Sequence, residues 1–537
     1  MLESKTRAEM LDVNFRETAE NTHVDPIWSL CGNKLFITIV VALFVFGARL
    51  CVIKQFGVQE PYMDSFSEVH DYKAALAGDF RKVWENSVQL HNEHRILLTR
   101  WSNVAMLLLN GGKWDLLAQA CFNAFLASLC VVATLATLGR SLRGIPFLAL
   151  ASVVTLCFGL PMAYENILWG FQSQHFFFIL FSVVAIGLMP TSKVLSVAWW
   201  CGLASSILAC VSVGSGFYAS LAVAATCGVI AIRKEHRSAS LFITFFVAVT
   251  VVIANVPFLV HVHSDESAKA HSVIRFFYSL LCNLSWPNST AFEIWLIPVI
   301  WCPFVLWTAA MLRRKEPLPR SSYTIFGLGV WVLLIVLTIS YLRGAYAPYI
   351  RYFDYNCFQV IVNAAAFLEI WRLRLYKSLP GSSKVGGAVV WAVVVLIGCF
   401  QLTDFAWFHG LPKRNIELKT EREAIREFYA TGNENLLQSQ NLEDIFPFTA
   451  RYAHFTALVL ADPRVSAFLP EDMKPLAAPQ DESGILSRVR RVLLSSCDAF
   501  ILVIAGAFLL LVVRQTALFL RTERGRAIWR ETRRLVP

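Results

Sequence analysis

Repeated apolar runs, each long enough to cross a bilayer, restrict this chain's fold more than any other feature of its sequence. About 18 or more consecutive apolar residues suffice for a transmembrane helix. Twelve such spans are expected, at about 35–54, 115–138, 144–161, 171–189, 194–213, 216–232, 240–261, 291–311, 323–342, 355–371, 385–407 and 495–516. Of the 537 residues, 56% are hydrophobic and 16% charged, against about 25% charged in ordinary soluble proteins. An all-α polytopic membrane protein is the expected fold class.

The net charge of +10 does not point to nucleic acid, because the basic residues sit in short clusters between apolar runs. Residues 1–34 are polar and mixed in charge, so the first run, "LFITIVVALFVFGARL", reads as a signal anchor rather than a cleaved leader. The thirteen cysteines lie mostly inside apolar runs without CxxC spacing, which suits small core residues better than a disulfide or zinc framework.

Charge orients the chain. With residues 1–34 in the cytoplasm, the inner connections contain "RSLR" (140–143), Lys193, "RKEHR" (233–237), "RRKEPLPR" (313–320) and "RLRLYK" (372–377). The basic tail 517–537 is also inside, whereas the short connections 162–170 and 212–215 lack Lys and Arg. This leaves 55–114, 262–290 and 408–494 outside, the last as a small periplasmic domain or packing lid between the 35–407 body and the final span. The parity requires that 92–112 not span. Its Arg95 and Arg100 would each cost at least about 2.5 kcal/mol inside a bilayer, so an amphipathic surface helix is expected.

Three outer constellations are candidates for function, since charge beside apolar membrane surface is costly. The first is "EPYMDSFSEVHDYKAALAGDF" (60–80), in which Asp64 could gain basicity by desolvation, with Glu60, Glu68, His70 and Asp71 nearby; a solvated loop carboxylate is the plainer reading. The second is "QLHNEHRILLTRW" (89–101). On a helix His91, His94 and Arg95 share a face beside Glu93. HExxH is absent, so a phosphate cradle fits better than a metal site, and a polar collar with Arg95 snorkelling is the plainer reading. The third pairs "YENILWGFQSQ" (164–174), with Glu165, Asn166, Trp169, Gln172 and Gln174 as sugar-gripping groups, with "RGAYAPYIRYFDY" (343–355). Arg343 and Arg351 there stand outside against the charge rule and suggest an anionic ligand, with Tyr352 beside them.

The order of these features resembles the GT-C glycosyltransferases, in particular relatives of protein mannosyltransferases and of the lipid A aminoarabinose transferase. An outer carboxylate follows the first span, then come "YKAALAGDF", a His-containing surface helix and "GGKWDLLAQA" entering the second span. The resemblance covers roughly residues 35–190 and is nearest to bacterial members with "HNEHR" and "NILWGFQSQ"-like segments. Asp64-Ser65 stands where the family often has Asp-Glu, and "HNEHR" replaces a proline-containing motif.

The resemblance implies a GT-C-like bundle of about twelve transmembrane helices in a bacterial inner membrane, with juxtamembrane helices in the first outer loop and the active site facing the periplasm. It implies transfer of a sugar from a polyprenyl-phosphate donor to a cell-envelope glycan, lipid or protein, with inversion. Asp64 would be the general base and His91, His94, Arg95, Arg343 and Arg351 would hold the departing phosphate; Glu68, Glu93, Glu165, Asn166, Trp169, Gln172, Gln174 and Tyr352 would contact sugar or acceptor. No cofactor is required, although a divalent cation is possible. The alternatives are an O-antigen polymerase or ligase, which would rely on outer Arg and His without an early carboxylate, and a transporter or flippase of lipid-linked glycan. The sequons at Asn283 and Asn288 read as chance occurrences.

Overall fold

The computed structural model describes residues 33–61, 63–233, 238–260, 266–288, 293–373, 375, 381–438, 450–470, 473 and 484–521. The expected N-terminal cytoplasmic segment, most of "RKEHR" and nearly all of the basic tail lie outside the described residues. Among the described residues every regular element is helical, and the one isolated bridge pairs His91 with His94.

Ten helices are long and apolar enough to cross a membrane: Lys34–Phe56, Leu116–Leu138, Ile145–Leu168, Gly170–Leu188, Gly214–Ile232, Ala239–Pro257, Ile294–Arg313, Ser322–Leu342, Val385–Thr431 and Ile485–Arg514. The chain is a multi-pass helical membrane protein. Two of the twelve expected spans are not among these ten, one for its length and one for its polarity. The 194–213 run forms only Val197–Cys210, 14 residues, about 21 Å long against a core of about 30 Å. It stops early because the small-residue turn Gly214–Phe217 folds back on its end; a Cβ on Gly216 would lie 1.9 Å from the Ala209 carbonyl oxygen.

The other is Phe353–Arg372, a helix of 20 residues that is long enough but more polar than the ten, with Asp354, Asn356, Gln359, Asn363 and Glu369 all buried. Its surroundings explain the polarity, because each of these side chains meets protein. Arg49 of the first span pairs with Asp354 at 3.0 Å and donates to the Phe158 carbonyl at 2.9 Å. Gln359 donates to the Asn283 carbonyl at 2.8 Å, and Asn363 accepts from the Phe304 amide at 3.0 Å. Buried polar groups persist where they are hydrogen-bonded, so this helix is the axle on which its neighbours register. Asn283 is itself buried against Ser340 and Asn356, which closes that sequon to a glycan.

The first and last spans pack closely at Gly47, where a Cβ would come within 3.0 Å of the Phe500 ring, and again where Phe44 meets Phe508 at 6.3 Å. The 385–405 stretch does not end at the expected boundary near 407. It continues through a π-helical turn, Ala406–Gly410, into the polar helix Leu411–Thr431. That helix and the following short ones join the first loop in a second apolar core, in which Phe66, Tyr72 and Trp114 pack with Ile425, Phe428 and Phe468. Polar ties reinforce it: Lys73 pairs with Asp462 at 2.9 Å, and Arg422 pairs with buried Glu60. Loop 55–114 and the described part of 408–494 therefore form one cap.

The expected surface helix within 92–112 is Leu97–Leu109, 13 residues and so too short to span. Thr99, Arg100, Asn103, Val104 and Leu107 are buried, and Leu108 and Leu109 are exposed. Arg100 is spent inside the cap, on Asp71 at 3.7 Å and on the Gln89 carbonyl at 3.1 Å. Gly111 and Gly112 end the helix at φ +69 and +78, conformations that cost glycine little.

Candidate functional site

Four segments meet at the face of the bundle that carries the cap. Asp64 opens a 3-10 helix, Met63–Glu68, just past the first span. Ser67 donates to the Asp64 carbonyl at 2.6 Å, and the Trp169 indole donates to Ser65 at 2.8 Å, so both sides of Asp64 are pinned. Its own carboxylate is left 30% exposed, with Oδ1 3.6 Å from Nε2 of His91.

The expectation that His91, His94 and Arg95 share a helix face does not hold. Residues 91–94 form a tight turn in which the His91 and His94 backbones exchange hydrogen bonds at 2.8 Å each way, with Asn92 at φ +50. Asn enters that left-handed region more readily than most residues, and the helix begins only at Leu97. The turn brings both histidines toward Asp64. The principal charged groups acting on Asp64 are His91, Arg351 and His94, and Arg95 is not among them.

Each histidine is fixed by its neighbours. His91 packs on Phe171, with ring centroids 5.2 Å apart, and its Nδ1 lies 3.5 Å from the Ser67 hydroxyl. His94 accepts from the Gly214 amide at Nδ1, 3.1 Å away. Gly214 is required by that approach, because a Cβ would sit 2.5 Å from the Glu93 carbonyl oxygen. Burial, then His91 and Arg351, push the His94 pKa down to about 4 despite Asp64. His94 is therefore neutral near pH 7, and with Nδ1 accepting, its proton is on Nε2.

The two site arginines are both paired. Arg343 forms an ion pair with buried Glu93, whose carboxylate lies 3.9 Å from His94. Arg351 lies over the Trp169 ring at 4.6 Å and the Tyr349 ring at 5.2 Å, with Glu165 3.4 Å away. Burial acts against its charge, but Tyr349, Glu165 and Asp64 more than offset this and hold its pKa above the ordinary value. Tyr352 continues the aromatic row, 5.5 Å from Tyr349 and 6.1 Å from His175.

The expected rise in Asp64 basicity is reversed. Burial pushes its pKa up, but His91 foremost, with Arg351 and His94, brings it below the usual carboxylate range. Asp64 is ionised at neutral pH.

Other expected contact residues lie behind the site. Glu68 is buried, accepting from Asn103 and from Tyr72 at 3.0 Å, and burial raises its pKa to about 8. Asn166 is fully buried and donates to the Arg351 carbonyl at 2.7 Å and to Asp354 at 2.9 Å. Gln174 donates to Gln172 at 3.0 Å, both buried. These groups hold the walls. Sequence reading missed Arg49, Ser65, Phe171, Gly214 and Tyr349; only Arg49, a cation inside an apolar run, carried a signal in the sequence.

Chemically, the face offers an ionised carboxylate, a neutral imidazole N–H donor, and two guanidinium groups seated on carboxylates and aromatic rings. A shallow crevice beside Trp169, between Glu60 and Arg414, is lined by Val58, Leu168 and Leu418. Among the described residues, the one cluster of three His, Cys, Asp or Glu donors near enough to share an ion is Cys51, Cys497 and Asp498, on the first and last spans. No family model matches the chain, and neither does any curated protein.

Proposed function

We propose that the chain is an integral membrane glycosyltransferase of GT-C type, which moves a sugar from a polyprenyl-phosphate donor to a hydroxyl on an extracytoplasmic glycan, lipid or protein. The observation that carries this reading is the meeting of Asp64 with Arg351, His91 and His94 from separate segments at one end of the bundle. The orientation that puts that end outside is the one set by the basic connections.

Asp64 takes the acceptor proton as the oxygen bonds to the anomeric carbon and the bond to the phosphate oxygen breaks. An ionised carboxylate is ready for this without prior deprotonation, and its basicity rises when a substrate displaces water and loosens the His91 contact. His94 donates through Nε2 to a phosphate oxygen, and Arg351 and Arg343 turn from Glu165 and Glu93 to the same phosphate, stabilising the charge that grows on it. Glu93 and Glu165 thus serve as place-holders for the anion rather than as sugar contacts.

The polymerase or ligase alternative would rely on outer Arg and His without an early carboxylate, so Asp64 is the residue that discriminates between the two readings. The test is sugar transfer from a defined polyprenyl-phosphate sugar by purified protein in liposomes. The reading fails if Asp64→Asn transfers sugar at the native rate.

A further inference from the structure

At the contact between the first and last spans, two thiols from opposite ends of the sequence meet a carboxylate and an ammonium. The Cys51 and Cys497 thiols both reach Asp498 Oδ1, at 3.8 and 3.5 Å. One sulfur from each cysteine and one Asp498 carboxylate oxygen lie within 4.8 Å of one another. Lys54 completes the group, with its ammonium 2.5 Å from Asp498 Oδ2. Cys497 is buried and Cys51 half-buried, while Lys54 and Asp498 are open on one side. The cluster lies at the cap end of the first span.

From this arrangement we infer that Cys51 and Cys497 are a redox-active pair that closes to a disulfide, clamping the first span to the last. Lys54 sets a positive charge beside Cys51, the thiol that would attack first, and Asp498 orients both S–H groups at the contact. Cys51, the more accessible thiol, attacks a disulfide of an oxidant such as an extracytoplasmic dithiol–disulfide protein, forming a mixed disulfide and expelling one oxidant sulfur as thiolate. Cys497 then attacks Cys51 Sγ, forming the internal bond and expelling the second oxidant sulfur. Two electrons and the two thiol protons pass to the oxidant, which leaves as a dithiol. The other described cysteines lack this combination of a partner thiol, a carboxylate and an ammonium, and Cys157 and Cys357 bond backbone carbonyls instead.

A metal ion is the competing occupant for two thiols and a carboxylate. Lys54 argues against it, because its fixed positive charge sits on the carboxylate that would ligate the ion.

The test uses the purified full chain in detergent, treated with diamide, then alkylated, digested and analysed by mass spectrometry. The expected result is a linked peptide joining 51 to 497, loss of both alkylated peptides, and their return on reduction. With Cys51→Ser, the Cys497 peptide should stay alkylated after the same treatment, and with Cys497→Ser the Cys51 peptide should. The inference is overturned if native protein keeps both peptides alkylated after diamide. Protection of both thiols by zinc alone, reversed by chelator and without a linked peptide after diamide, would also overturn it and assign a metal site. The readout is covalent and needs neither sugar transfer nor a membrane orientation, so its failure is separate from failure of the proposed function.

Discussion

Two arginine–carboxylate pairs lie at different depths of this molecule. Arg49 and Asp354 are 3.0 Å apart and only 1% and 2% exposed, deep between the first span and the central polar helix. Arg351 and Glu165 are 3.4 Å apart and 17% and 21% exposed, at the rim beside Asp64. The deep pair has no access to a ligand, and its remaining contacts, the Phe158 carbonyl and Asn166, are fixed parts of the bundle. The rim pair shares its arginine with Trp169, Tyr349 and the field of Asp64, and a negatively charged ligand can replace Glu165. On the proposed reading, similar chemistry serves registry in one place and exchange in the other, and exposure separates the two. Asn166 joins the two pairs, because one amide donates to both the Arg351 carbonyl and Asp354.

The comparison breaks most sharply at Asp64. Its carboxylate is part-exposed and holds no buried partner in place, so Asp64→Asn should leave a normally folded protein by size-exclusion profile. Sugar transfer in liposomes should fall by about 10²- to 10⁴-fold, the usual worth of a general base. Arg49→Met should do the opposite. Removing one member of a buried pair leaves an uncompensated charge and costs about 3–5 kcal/mol, so the yield of monodisperse protein should drop, and any protein recovered should melt early. Arg49→Met combined with Asp354→Asn should recover much of that loss. If the single variant behaves like wild type, the deep pair is not structural.

Arg351 comes next in size. A charge-assisted hydrogen bond is worth about 1.5–3 kcal/mol, so Arg351→Ala should raise KM for the lipid-phosphate donor by about 10- to 100-fold with little change in melting temperature. Arg351→Lys should restore charge but not the planar seat on Trp169 and Tyr349, and so rescue only part of the effect. Equal loss of stability in Arg49→Met and Arg351→Ala would erase the distinction between rim and interior.

How much of this was legible in the sequence follows from the range of each interaction. The apolar runs and their flanks are local, so ten of the spans could be read directly, as could the gathering of Asp64, His91, His94, Glu93 and Arg351 at one end of the bundle. The turn at 91–94 was mistaken for helix because the 3–4 spacing of its histidines fits both, and only the left-handed backbone at Asn92 separates them. The 355–371 run was counted as an ordinary span, and the reason for its polarity was hidden because its partners, Arg49, Asn283 and Phe304, are far away in sequence. Gly214 stands in the sequence only as part of the short connection 212–215, and its task of seating His94 depends on a contact across 120 positions.

The smallest expected effect lies between rim and interior, at Glu68, and it needs the sign of the pH dependence to be worked out. Burial raises this carboxyl to about 8 from an ordinary 4.5. The unfolded chain therefore releases the proton above about 4.5, while the folded chain keeps it until about 8. Stability from Glu68 is full below about pH 4.5 and is lost as pH climbs toward 8. His94 runs the other way, since its pKa falls from 6.5 to about 4 on folding and its contribution is lost as pH drops through that range. Between about pH 4.5 and 6.5 the two slopes oppose each other, whereas between 6.5 and 8 the Glu68 slope stands clear of His94. Glu68→Gln, which imitates the protonated acid toward Tyr72 but not the pH response, should match wild type near pH 4.5 and melt higher than it at pH 8. Thermal melts across that range decide the matter. Parallel wild-type and variant curves from pH 6.5 to 8 would mean that Glu68 ionises normally and reaches solvent, which would move it from the wall of the site to its floor.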